Sequence, residues 1–174
     1  EIPLDADTIH VGSLPLSNPE SAENIIKSLD KFKGLVSFDP NLRKEIVNEE
    51  YLDKVWELIK KTDILFAAEE EIKELGGFEK IIKHVEEVIE TKGAKGAKLT
   101  TSEKEKTVKP PKVEPIDTTG AGDALAGAYL AFRNQGRDKA LKKAVAAAAA
   151  STTKKGAMSA LPNEEVLKEY LQNE

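Results

Sequence analysis

Short apolar runs rich in β-branched residues alternate along this chain with longer stretches whose apolar positions recur every three or four residues. The short runs are typical of buried parallel strands, and the longer stretches are typical of helices that cover them. The pattern predicts strands over residues 8–12, 35–39, 64–67 and 88–89, and a hairpin over residues 98–101 and 107–113. It predicts helices over residues 19–33, 49–61, 121–134, 139–152 and 164–172, with two short helices on either side of Gly76 and Gly77. This alternation predicts an α/β fold, a Rossmann-like three-layer α/β/α sandwich, in a single domain over residues 1–174.

Composition narrows the classes of function. The 174 residues are 40% apolar, which suffices for one core, and they include no Cys and only two His, so disulfides and thiolate or His-rich metal centres are not expected. A net charge of -5 without a basic block argues against nucleic acid as a partner. No apolar run reaches the ~20 residues of a membrane helix and no signal peptide is visible, so we expect a cytoplasmic protein without a membrane partner. The high Lys and Glu content resembles that of thermophile proteins.

The seven residues from Asp117 to Asp123 carry the clearest chemistry in the sequence. They read Asp-Thr-Thr-Gly-Ala-Gly-Asp and lie at the start of a predicted helix. Two glycines around one small residue let backbone N–H groups at a helix start point at an anion. A carboxylate beside such a site suits phosphoryl transfer to a hydroxyl, with Asp123 as the base. The structural alternative is that Asp117 and Thr118 cap the helix, which leaves the Gly-Ala-Gly-Asp order without a reason.

Two loops elsewhere in the chain are candidates for ligand contact. The segment from Asp39 to Arg43 places an acid, an amide and a guanidinium after a predicted strand, where open α/β sheets bind ligands. A turn with solvated charges explains that segment almost as well. The stretch from Gly93 to Gly96 follows another predicted strand, and it is either a second loop that contacts a nucleotide or a plain turn.

Two further segments have simple structural explanations beside their functional ones. Glu71 closes a run of three acids that suits the start of a helix, and it could instead act on Mg²⁺ through water. The alanines at positions 146–150 favour a closely packed helix, and they could also form the smooth wall of a base pocket.

Four segments together resemble one family. The stretch from Asp117 to Leu130 resembles the C-terminal signature of the ribokinase/PfkB carbohydrate kinases at every diagnostic position. The stretch from Ser37 to Arg43 is similar to a segment of the fructokinase-like and 2-keto-3-deoxygluconate-kinase-like branches. The loop from Gly93 to Gly96 resembles the nucleotide loop of the family, and the stretch from Lys155 to Met158 resembles a loop near the end of its fold.

The resemblance implies an ATP-dependent sugar kinase with a ribokinase-like fold. Asp123 would be the base, and the amides of Gly120, Ala121 and Gly122 would form the anion hole. Glu71 would help to place Mg²⁺, and a monovalent cation beside the anion hole is a further candidate cofactor. The implied partners are a nucleotide and a small sugar or sugar acid, and a homodimer is a candidate assembly. The residues expected near the nucleotide and its phosphates are Thr91, Gly93, Lys95, Gly96, Asn41, Arg43, Asp117 and Thr118.

The sequence also departs from the pattern of the family. The resemblance covers only the C-terminal part of the fold, so we expect the N-terminal strands and the lid to be lacking. Ala68 and Val145 stand where the family usually has Asn. Glu90 and Lys92 stand where apolar residues are usual, which predicts that their strand lies at a sheet edge. The alternative function is therefore a truncated or engineered core that binds nucleotide or phosphate without catalysis.

Overall fold

The computed structural model describes residues 5–172. The described part of the chain contains six strands and seven α-helices. In chain order they are β1 (Thr8–Gly12), α1 (Pro19–Leu29), β2 (Leu35–Asp39), α2 (Glu49–Ile59), β3 (Ile64–Ala68), α3 (Glu69–Glu74), α4 (Phe78–Ile81), β4 (Glu87–Thr91), β5 (Ala97–Thr100), β6 (Glu105–Val108), α5 (Ala121–Phe132), α6 (Arg137–Ser151) and α7 (Glu164–Gln172).

The six strands form one sheet in the order β1-β2-β3-β4-β5-β6. Strands β1, β2 and β3 are parallel, with His10 opposite Ser37 and Phe38 opposite Leu65. Because these strands advance in one direction across the sheet, right-handed crossovers put α1 and α2 on the same face. Four consecutive residues of β3, from Ile64 to Ala67, are buried, so both faces of this strand are covered.

Contacts divide the chain into two compact units. The first comprises the described residues up to Glu90 together with Leu99–Glu105, and the second comprises Thr91–Lys98 together with the described residues from Lys106 onward. The core of the first unit joins strand residues such as Phe38 and Leu65 to helix residues such as Val55 and Leu58. In the second unit α5 and α6 pack against each other, and alanines of α6 pack against α7.

The predicted helix starts and strand bounds agree with the structure where local signals are strong. Strands β1 and β2 have the predicted bounds. Helices α1 and α2 begin after asparagines, because the Asn18 side chain accepts a hydrogen bond from Ser21 N–H and the Asn48 side chain accepts one from Tyr51 N–H. The α/β class is therefore confirmed, with a hairpin, β5 and β6, at one end of the sheet.

The predicted edge position of the strand before Gly93 is wrong. That strand is β4, which lies between β3 and β5. Glu90 lies in β4 and Lys92 follows that strand. Both residues are half-buried, and each has an interaction partner. None of the helices in the described part of the chain is long and apolar enough to cross a membrane.

Candidate functional site

Residues 117–120 form a tight turn that leads directly into α5, and residues 121–123 begin that helix. Ala121 N–H donates to the Thr118 carbonyl at 3.2 Å, and Ala124 N–H donates to the Gly120 carbonyl at 2.8 Å. Gly120 is the N-cap of α5, and among residues 5–172 no side chain caps the start of this helix. The alternative that Asp117 and Thr118 cap the helix is therefore wrong. The turn instead leads into the first helical N–H groups, which helices generally leave for outside acceptors.

The backbone and its surroundings require glycine at position 120 but not at position 122. Gly120 has a φ of +77°, and a Cβ at this position would lie 2.7 Å from the Ala157 Cβ, so the fold itself requires glycine. Gly122 lies inside α5 without a positive φ, and a Cβ there would have no described atom within 4 Å apart from its chain neighbours and the nearby backbone of its own helix. The space beside Gly122 is therefore open.

The Asp117 carboxylate ties this turn to the loop formed by residues 154–158. Its Oδ2 accepts the Gly156 N–H at 2.9 Å, and its Oδ1 accepts the Thr119 N–H at 3.0 Å. Asp117 N–H in turn donates to the Thr152 carbonyl. These hydrogen bonds lower the pKa of Asp117 to about 2. The bond from the Gly156 N–H has the largest effect, and the bonds from Thr119 come next. Asp117 is thus a carboxylate that holds two segments in place.

Asp123 is an exposed residue in the first turn of α5. The positive end of the helix dipole favours a carboxylate at this position. Its exposure leaves it accessible to a ligand that approaches the open space at Gly122. The sequence prediction that glycine amides and an acid meet at one helix start agrees with this arrangement.

The loop that follows β4 is a tight 3-10 turn. It belongs to the second unit, as residues 117–123 do. Lys92 N–H donates to the Gly96 carbonyl at 2.9 Å, and Gly96 N–H donates to the Gly93 carbonyl at 3.0 Å. A Cβ at Gly96 would lie 2.0 Å from the Val108 carbonyl oxygen, whereas one at Gly93 would have no atom within 4 Å. Lys95 is exposed at the tip of this turn. Gly96 is thus required by packing, while the surroundings of Gly93 are open.

In the first unit, the loop after β2 is joined to Glu71. Leu42 N–H donates to Glu71 Oε1 at 2.6 Å, and Asn41 N–H donates to Asp39 Oδ1 at 3.0 Å. Asn41 and Arg43 are both exposed. The bond between Leu42 and Glu71 has no signal in the sequence, because its two residues lie 29 positions apart.

Within residues 5–172, no group of three His, Cys, Asp or Glu side chains is arranged to hold a metal ion. Mg²⁺ usually keeps several waters and binds through one or two carboxylates together with substrate phosphates. The Glu71 carboxylate offers oxygen atoms of the kind that Mg²⁺ prefers. Each Glu71 oxygen already accepts one backbone N–H and retains a second lone pair for a water.

Proteins of known family resemble this chain in both sequence and structure. The model of the pfkB family carbohydrate kinases matches residues 3–164. A fructokinase from Vibrio alginolyticus is 31% identical over 186 residues, which cover 95% of this chain and 61% of the relative. A Pyrococcus horikoshii protein provisionally named a sugar kinase is 37% identical over 177 residues, which cover 97% of this chain and 57% of the relative. The chain spans about three fifths of the length of these relatives.

Solved structures agree with these sequence matches. An E. coli protein provisionally named Ribokinase II, solved in complex with ATP and Mg²⁺, superposes with a TM-score of 0.90 at 29% identity and covers 98% of this chain and 60% of its own. Fructokinase from Vibrio cholerae, solved with fructose, ADP and calcium, superposes with a TM-score of 0.82 at 35% identity and covers 94% of this chain and 60% of its own. The resemblance drawn from the four sequence segments is confirmed.

Proposed function

Because this chain belongs to the pfkB family of carbohydrate kinases, we propose that its Asp117–Asp123 turn binds the phosphates of ATP during phosphoryl transfer to a sugar hydroxyl. The observation that carries the proposal is the open space beside Gly122 together with the exposed carboxylate of Asp123. Alanine would favour the helix at position 122, so the fold gives no reason for glycine there. Room for an anion at the first-turn amides does give a reason.

In the proposed reaction, the Asp123 carboxylate accepts the proton of the sugar hydroxyl as its oxygen bonds to the γ-phosphorus of ATP. The bond from that phosphorus to the bridging oxygen breaks, and ADP leaves with the bond electrons. The amides of Gly120, Ala121 and Gly122 stabilise the negative charge that the transferring group carries. The products are a sugar phosphate, ADP and a proton held by Asp123.

The remaining predicted residues take supporting roles. We propose that Thr91, Gly93, Lys95 and Gly96 contact the nucleotide, and that Thr118, Asn41 and Arg43 contact its phosphates. Glu71 is proposed to help place Mg²⁺ through water, and the ion supplies charge neutralisation at the phosphates when it is bound. A monovalent cation beside the anion hole is a further proposal, and the low pKa of Asp117 keeps a negative charge there to attract one.

The relatives suggest the class of acceptor. Several of the most similar proteins are named fructokinases, so we propose a ketohexose such as fructose as the first sugar to test, followed by ribose and 2-keto-3-deoxygluconate. Because the chain spans about three fifths of these relatives, the acceptor is proposed for the protein as a whole.

The test is an assay of ADP release from ATP over this panel of sugars, combined with calorimetry of ATP binding. We expect Asp123→Asn to abolish turnover and to leave ATP binding within about threefold of wild type, because the change removes the base and keeps its shape. The matched control is Asp138→Asn, which changes another exposed aspartate in the first turn of a helix, α6.

Each outcome of this test has a distinct meaning. Turnover that survives Asp123→Asn refutes the base. ATP binding without turnover on any sugar favours the alternative of a non-catalytic nucleotide-binding core. Failure of the wild type to bind ATP refutes the proposed function itself.

A further inference from the structure

Both carboxylate oxygens of Glu71 accept backbone N–H groups. Oε2 accepts the Ala68 N–H at 2.7 Å, which closes the first turn of α3 in the manner of a capping box. Oε1 accepts the Leu42 N–H at 2.6 Å. The second bond reaches back from α3 to residues 39–43, which we call the β2 loop. One side chain thus fixes the start of a helix and a loop that is distant in sequence.

The β2 loop has an unusual backbone at the point where Glu71 holds it. Among residues 5–172, Asn41 is the one non-glycine residue with a positive φ, at +35°. Such a conformation is strained and persists where neighbouring interactions over-determine it. Two carboxylates supply these interactions, because Asp39 accepts the Asn41 N–H and Glu71 accepts the N–H of the next residue, Leu42.

The side chains of the β2 loop alternate between the core and solvent. Leu42 is half-buried and packs against the core of the first unit, while Asn41 and Arg43 on either side of it are exposed. Because Glu71 fixes the backbone of Leu42, it also fixes the points from which the two flanking side chains start. A carboxylate is well suited to this task, since hydrogen bonds to a charged acceptor are about twice as strong as neutral ones.

We infer that Glu71 is a positioning residue, which holds the β2 loop so that Arg43 and Asn41 are presented to the phosphates of ATP. This inference rests on the proposed function, in which Arg43 and Asn41 contact those phosphates. This role is additional to the proposed role of Glu71 in placing Mg²⁺ through water. Loss of a residue that places Mg²⁺ changes the magnesium dependence of nucleotide binding, whereas loss of a positioning residue changes the contribution of Arg43.

The first experiment needs no nucleotide. Hydrogen exchange of the Leu42 amide is measured by NMR in the wild type, in Glu71→Gln and in Glu70→Gln, which neutralises the adjacent, exposed glutamate of α3. We expect exchange to be at least about tenfold faster in Glu71→Gln, which loses a charge-assisted acceptor, and unchanged in Glu70→Gln. Unchanged exchange in a folded Glu71→Gln protein overturns the inference. If Glu71→Gln does not fold, Glu71→Asp is measured in its place. Glu71→Asp keeps the charge but shortens the reach of the side chain, and we expect it to lose the same protection at the Leu42 amide.

The second experiment is a double-mutant cycle on ATP binding, measured by calorimetry with Arg43→Gln, Glu71→Gln and the combined variant. We expect Glu71→Gln to weaken ATP binding about tenfold. We also expect the loss of binding in the combined variant to be smaller than the sum of the losses in the two single variants, because Glu71→Gln already removes part of the contribution of Arg43. Additive losses in the combined variant overturn the positioning role. If the wild type does not bind ATP, the proposed function and the phosphate role of Arg43 both fail, while hydrogen exchange still decides whether Glu71 holds the loop.

Discussion

Replacement of Gly122 by alanine should separate stability from phosphate binding. Apart from its chain neighbours and the nearby backbone of its own helix, a Cβ at Gly122 would have no described atom within 4 Å, and the same holds at Gly127 on the exposed side of the same helix. Glycine to alanine inside a helix stabilises by up to about 1 kcal/mol, which corresponds to a rise of roughly 1–4 °C in Tm for a chain of this size. Both variants should therefore melt at or above the temperature of the wild type.

The two variants should differ in ATP binding. A methyl group at position 122 occupies the space from which a phosphate would reach the first-turn amides, while one at position 127 does not. Loss of one hydrogen bond to a charged group costs about 1.5–3 kcal/mol, or roughly 10- to 150-fold in affinity. Thermal unfolding followed by circular dichroism and ATP titration by calorimetry give the two quantities. The reasoning is refuted if Gly122→Ala lowers the Tm by several degrees, or if it binds ATP as tightly as Gly127→Ala.

Three further predictions concern stability. Gly120→Ala should lower the free energy of unfolding in urea by about 2 kcal/mol or more, because it combines a left-handed φ with a clash against Ala157; an unchanged midpoint would contradict the close approach. Asp117 has a pKa lowered from 3.8 to about 2, so its contribution to stability should be complete above pH 4 and disappear as the pH falls towards 2. The difference in urea midpoint between the wild type and Asp117→Asn should therefore narrow over that range. A constant difference would show that the ionisation of Asp117 plays no part. Leu65→Ala in β3, whose side chain is fully buried, should cost about 2–5 kcal/mol by the same measurement, and a loss below 1 kcal/mol would contradict its place in the core.

Local signals account for most of the secondary structure that the sequence predicts. Asn18 before Pro19 marks the start of α1, and Pro40 marks the end of β2, because each acts on its own backbone or that of its neighbours. The position of β4 could not be predicted in the same way. Its charged residues suggested an edge, but whether Glu90 and Lys92 find partners depends on segments that fold against them.

In the candidate site too, features built from consecutive residues could be predicted, and contacts between distant residues could not. The turn from Gly120 to Asp123 is built from consecutive residues, so its glycines and its acid could be identified from the sequence. The hydrogen bond from Gly156 to Asp117 joins residues 39 positions apart, and the one from Leu42 to Glu71 joins residues 29 positions apart. The residue types could not predict either hydrogen bond, because each donor is a backbone N–H that nearly every residue possesses.

The contact between the Asp117–Asp123 turn and residues 154–158 restricts how this chain can be recombined with other members of the pfkB family. Gly156 donates to Asp117, and the methyl group of Ala157 leaves no room for a side chain at position 120. In a chimera, the two segments should therefore be exchanged together. A turn grafted without residues 154–158 would lack the hydrogen bond from Gly156 and the close fit against Ala157.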